Sequence, residues 1–271
     1  MEPLETSISP RHGVLLLISL FGAFETHSSS TLLHAQSPAP VKPESQDSAR
    51  VIRWTDALWV VGGVVIISLV DEPVQRYTQK HRSNTLESFA AVFREQGSVF
   101  YYGGIVGVLA VGLIKGDDDV LRAGGRLVGT VVASTIAMQG VKMLLGRSRP
   151  NANAGAFDFN PFSTEQDSLG VEQRESMPSG HTTAAFAIAT ALADEIGRMP
   201  VSVLLYLWAS GAGFSRVYEN RHWVSDTVVG ALLGITTAKV LTGRWRVFNL
   251  KPPRFLLAES GTPSLAWTID F

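Results

Sequence analysis

The sequence contains no cysteine. That excludes disulfides, thiolate nucleophiles and cysteine-ligated metal sites, and leaves the compartment to be read from other features. It also lacks an excess of either charge: 23 Lys and Arg face 24 Asp and Glu, a formal net charge of −1, and the basic residues form no long run or stripe. The electrostatic footprint of a nucleic-acid binder is missing, so no nucleic-acid partner is expected. No internal repeat is visible. What is present is apolar: 45% of the 271 residues are hydrophobic, enough to build the core of one large domain.

The amino-terminal segment speaks to destination. Arg11 and His12 precede an apolar run from Gly13 to Phe24, followed by a serine-rich stretch ending Leu33-His34-Ala35. This is the order of a secretory signal cleaved after Ala35, with a short uncleaved anchor as the alternative, so residues 1–35 form a signal or anchor segment. Residues 36–50, rich in Pro, Ser and Gln, read as a flexible linker.

Beyond the linker lie six apolar runs: Ala57–Val70, Val99–Ile114, Ala123–Leu145, Thr182–Ala193, Val201–Phe214 and Thr227–Leu241. They are too long for strands, contain no proline and are separated by charged or Gly/Pro-containing breaks, which makes them helices. The fold class is all-α, a membrane-associated bundle of about six core helices over residues 51–245. Gly103 with Gly107, Gly125 with Gly129, and Gly230 with Gly234 recur at the spacing that lets helix backbones approach closely. Asp71–Ser98 is polar and carries a surface helix. In the tail, residues 246–271, RFLLAES and SLAWTIDF alternate apolar and polar residues around Gly-Thr-Pro and suggest a hairpin. A crossing needs about 20 apolar residues, so Ala57–Val70 is expected to pack against the bundle rather than span.

Polar residues interrupt the apolar pattern in three places. In KMLLGRSRP, Lys142 and Arg149 are seven residues apart, about two turns, and share one face of a helix that Pro150 stops. In PSGH, Ser179, Gly180 and His181 open an apolar helix whose free N–H groups and dipole favour an anion. In SRVYENRHWVSD, Arg216 is followed by His222 and, one turn on, Asp226, which can fix the tautomer of the imidazole. Taken singly, each is an ordinary cap or helix-end charge. Together they describe a site for a tetrahedral oxyanion with acid–base chemistry.

These stretches match KxxxxxxRP, PSGH and SRxxxxxHxxxD in order. The sequence resembles the type 2 phosphatidic-acid phosphatase family, which shares its fold and site with bacterial class A acid phosphatases and vanadium haloperoxidases. The resemblance implies that His222 attacks phosphorus to give a phosphohistidine, with Asp226 orienting it. His181 would be the general acid. Lys142, Arg149 and Arg216 would neutralise the non-bridging oxygens, and Ser179 with the Gly180 N–H would complete the cradle. No metal or other cofactor is implied, because fixed cations replace the charge a metal would supply. The implied substrate is a phosphorylated lipid or small phosphomonoester, and the implied place is an inner membrane with the site facing the periplasm, or the soluble periplasm. Alternatives within the resemblance are a vanadium-dependent haloperoxidase and a non-catalytic lipid-phosphate-binding membrane protein. Arg147, Arg221 and Trp223 occupy variable motif positions and read as surface or interface residues. His81 reads as solvated, and AFDFNPFST as a lid, a lipid-facing wall or ordinary loop packing.

Overall fold

The computed structural model describes residues 49–94, 118–163 and 173–247, isolated positions between 103 and 116, and the backbone of 254–257 and 263–266. The signal or anchor segment, most of the linker and most of Val99–Ile114 lie outside the described residues.

Among the described residues seven helices have defined bounds: α1 (Trp54–Ser68), α2 (Asp71–Lys80), α3 (Asn84–Arg94), α4 (Asp118–Leu145), α5 (Gly180–Ile196), α6 (Met199–Tyr218) and α7 (Val224–Leu241). Their ends follow local chemistry. Asp118 and Asp119 occupy the first turn of α4, where the helix dipole favours negative charge. The α5 helix stops at Gly197, whose φ of 64° suits glycine, and Pro200 sits in the first turn of α6, where no N–H is missed. Between Val99 and Ile114 each described position is helical. The polar stretch 71–98 holds two helices rather than the one expected.

The bundle is built around α5. Ala185 and Ala189 of α5 pack with Ala209 and Ala212 of α6. On the other side, Ala191 packs with Ile105, Leu127 of α4 and Ala238 of α7. These side chains are small, so the helices lie close: a Cβ at Gly230 would come within 2.7 Å of the Ser179 carbonyl, and one at Gly234 within 2.4 Å of the Thr183 carbonyl. The large apolar residues instead face outward, among them Trp59, Ile66, Ile136, Leu204 and Leu207, each more than half exposed. Apolar faces of this extent are what a bilayer covers. Among the described residues two helices, α4 with 28 residues and α7 with 18, are long and apolar enough to cross a membrane, and α1 with α2, bent by 42°, pass the same test as a pair. The protein is a membrane protein of the all-α class. In α1, which alone is too short to pass that test, Trp54, Leu58, Trp59, Val61 and Ile66 are exposed.

Two small sheets complete the chain. The expected hairpin is present, with β3 (Arg254–Leu257) antiparallel to β4 (Pro263–Ala266). Residues Arg50–Ile52 (β1) pair in parallel with Trp245–Val247 (β2), a contact no sequence pattern announced.

Candidate active site

The α4 and α6 helices deliver their carboxyl ends, and α5 and α7 their amino ends, to one end of the bundle. A cavity of about 540 Å³ opens there. Its wall includes Lys142 from the last turn of α4, Arg149, Gly180 and His181 from the start of α5, Arg216 from the last turn of α6, and His222 just before α7. Arg82, Glu87, Arg94, Glu219 and Arg221 form the remainder. Ser179 and Asp226, both fully buried, stand behind the wall rather than in it. Ser179 Oγ accepts a hydrogen bond from Thr182 Oγ1 at 3.0 Å, and the Ser179 N–H donates to the Asp226 carbonyl at 3.0 Å.

Lys142 and Arg149 meet for a reason other than a shared helix face. The α4 helix ends at Leu145, and Gly146 turns the chain with φ 54°, where a Cβ would sit 1.8 Å from the Asn160 carbonyl oxygen. Arg149 then precedes a short 3₁₀ turn, Pro150–Ala152, with its N–H donating to the Gln173 carbonyl at 3.0 Å. The glycine turn ends the helix before proline can.

His222 is almost wholly buried. Its Nδ1 lies 2.7 Å from the Ser176 carbonyl oxygen, which can only accept, so Nδ1 carries the proton and Nε2 keeps its lone pair. Asp226 Oδ2 is farther away, 3.6 Å from Nδ1. The nearer anchor of the ring is thus a backbone carbonyl. Burial pushes the His222 imidazole down to about 4, against the support of Asp226. His181 is also lowered to about 4, first by burial and then by the field of Arg216, His222, Lys142 and Arg149. Burial and the neighbouring Arg221 likewise work against the charge on Arg149. The site is thus a cationic, partly desolvated cavity with neutral imidazoles. A phosphate dianion in the cavity would offset part of that field at His181 and raise its basicity.

Arg216 pairs through Nη2 with Glu219, while its buried Nε has no hydrogen-bond partner. Lys142 Nζ lies 3.4 Å from Glu175 Oε2.

Two expectations are corrected. Arg147 is not a surface residue: it is completely buried, with Nη1 donating to Asp226 Oδ1 at 2.6 Å and Nη2 to Asp71 Oδ2 at 2.7 Å. Trp223 is buried too, and its Nε1 donates to the Ser148 carbonyl at 2.8 Å. Arg221 is exposed as expected, but on the cavity rim. His81 is exposed, with Nδ1 2.9 Å from the Tyr77 carbonyl oxygen. Phe157, Phe159 and Phe162 are exposed and do not line the cavity, so no lid is formed by them here.

Residues 123–249 match the PAP2 superfamily, a span that contains every motif residue on this wall. Over that span the chain is similar to the PAP2 superfamily. Over 95 residues the chain is 41% identical to the lipid A 1-phosphatase of Porphyromonas gingivalis, covering 34% of this chain and 20% of that protein. Over 83 residues it is 32% identical to an acid phosphatase of Zymomonas mobilis, covering 31% of each. The chain therefore spans between a fifth and a third of the curated relatives it matches. The fold is that of the transmembrane PAP2-type phosphatidylglycerolphosphate phosphatase of Bacillus subtilis, with a TM-score of 0.51 at 20% identity, over 69% of this chain and 94% of that one.

Proposed function

We propose that the protein is a metal-independent phosphatase that hydrolyses phosphate monoesters or diphosphates of lipids through a phosphohistidine. The observation that carries this reading is the orientation of His222: Nδ1–H is committed to the Ser176 carbonyl, and the Nε2 lone pair belongs to a residue on the wall of a cation-lined cavity that also holds His181. The Nε2 pair forms the bond to phosphorus as the P–O bond to the alcohol or phosphate breaks, and the departing oxygen takes its electron pair and a proton from His181. Water then attacks phosphorus, giving its proton to His181, and the N–P electrons return to Nε2. Lys142, Arg149 and Arg216 hold the non-bridging oxygens throughout, and the unpartnered Arg216 Nε is a donor in want of an acceptor. The names of the relatives, a lipid phosphatase and an acid phosphatase, support the same reaction class. Lipid substrates are favoured because the apolar outer faces of α1, α4 and α6 place the protein in a bilayer.

The test is phosphate release by the purified protein in detergent from phosphatidic acid, phosphatidylglycerol phosphate, undecaprenyl diphosphate, lipid A and an aryl phosphate. At least one lipid should be turned over, with inhibition by vanadate and no need for added metal. Halide oxidation by the vanadate-loaded protein without phosphatase activity would favour the haloperoxidase instead. We further propose that the site faces the periplasm. Alkaline phosphatase fused after Gly170 should then be active, and a cytoplasmic reporter at the same point silent.

A further inference from the structure

Behind the nucleophile lies a charge arrangement that the reaction above leaves unused. Arg147, Asp71 and Asp226 have fully buried side chains, and one guanidinium is shared by two carboxylates. Arg147 Nη1 donates to Asp226 Oδ1 and to Ser225 Oγ, both at 2.6 Å, while Nε donates to the Ala156 carbonyl at 2.9 Å. Asp71 accepts from Arg147 Nη2, from the Ser225 N–H at 2.8 Å and from Ser225 Oγ. Asp226 Oδ2 accepts from the Trp223 N–H at 2.8 Å and from Ser176 Oγ. Every polar atom of the cluster named here is satisfied, yet its formal charge does not balance: one cation faces two anions.

A net negative charge sealed from water is costly unless a positive charge adjoins it. The group next to it is the imidazole of His222, 3.6 Å from Asp226 Oδ2 and neutral at rest, with its Nδ1 proton on the Ser176 carbonyl. Bonding of Nε2 to phosphorus while Nδ1 keeps its proton makes the ring an imidazolium. The cluster is then neutral as a whole.

We infer that Asp71 and Arg147 are positioning residues of the reaction: Arg147 fixes Asp226 beside the ring, and Asp71 offsets the charge of Arg147 so that Asp226 remains available to the phosphohistidine imidazolium. The inference rests on the phosphohistidine reading. Without Asp71, Arg147 and Asp226 would cancel each other and lend nothing to the charged intermediate. Asp71 begins α2, immediately after the bend from α1, so the group that sets the charge belongs to a part of the chain well outside the three motifs.

The test compares Asp71→Asn, Arg147→Gln and the double variant in the full-length protein, with thermal unfolding recorded for each. Asp71→Asn should lower kcat about tenfold or more with KM little changed, and weaken vanadate far more than orthophosphate, because only the covalent trigonal adduct carries the imidazolium. The double variant returns the cluster to one net negative charge and should recover part of the kcat lost in Asp71→Asn, despite having fewer hydrogen bonds. A purely structural role makes the opposite ordering, with the double variant worst and vanadate and orthophosphate weakened alike. That ordering, or wild-type kcat in folded Asp71→Asn, overturns the inference. If Asp71→Asn does not fold, Asp71→Glu, which keeps the charge, decides: retained vanadate affinity supports the proposal and an Asn-like loss refutes it. Failure of the phosphohistidine reading itself would show separately, as turnover above about 1% of wild type in His222→Ala.

Discussion

His222→Ala should lower hydrolysis of every substrate the protein accepts by about 10⁴-fold or more, because it removes the proposed nucleophile and the other imidazole on the wall, His181, serves as the acid for the leaving oxygen. Orthophosphate should still bind, since Lys142, Arg149 and Arg216 are untouched. The measurements are phosphate release and competition by orthophosphate in detergent, and turnover above about 1% of wild type would place the nucleophile elsewhere. The pH dependence carries a sign that can be checked. A ring held at about 4 in the fold against about 6.5 when unfolded stays unprotonated where the unfolded chain binds a proton, so this residue makes stability fall as pH drops from about 6.5 toward 4. Below the lower value both forms are protonated and the slope vanishes. His222→Ala should flatten part of that acid-side slope in thermal unfolding while leaving stability above pH 7 little changed.

Gly234→Val should prevent folding. A Cβ there meets the Thr183 carbonyl at 2.4 Å and the Ala187 nitrogen at 2.8 Å, both backbone atoms of α5 that cannot rotate aside. Even alanine would have to push α7 off α5, at a cost of about 1–3 kcal/mol or more, and the displaced helices are those that carry His222 and His181. Gly62 of α1 is the contrast, because a Cβ there meets nothing within 4 Å. Gly62→Ala should leave turnover unchanged and raise the midpoint of thermal unfolding slightly. Equal tolerance at Gly234 and Gly62 would mean that α5 and α7 are farther apart than described.

The helices and the motifs were legible because each is written locally: a run of apolar residues, a cap, a fixed spacing. The grouping of Lys142, Arg149, Gly180, His181, Arg216 and His222 could be expected from residue chemistry and family resemblance together. Arg147 could not be placed this way. Its partners are 76 and 79 positions away, and nothing around it in GRSRP distinguishes a buried arginine from a solvated one. Asp71 looked like the polar end of an apolar run, where its burial depends wholly on Ser225 and Arg147 arriving from elsewhere. Helical phase was a poor guide for Lys142 and Arg149 because Gly146 breaks the helix between them. The β1–β2 pair is three residues long on each side and joins distant parts of the chain, too short for alternation to be recognised.

That strand pair also constrains the parity of the chain's passages through a bilayer. The α7 helix starts at the cavity and ends at Leu241, so as a spanning helix it leaves Trp245 on the face opposite the cavity, and Arg50, paired with Trp245, on that same face. Arg82 lines the cavity. With α7 spanning, the chain also changes sides between Ile52 and Arg82, where the bent pair of α1 and α2 is the candidate crossing, and the total between the two strands is even. Parity then links two expectations that looked independent: with the site in the periplasm, Arg50 is cytoplasmic, and a signal cleaved after Ala35 on the periplasmic face is incompatible with it.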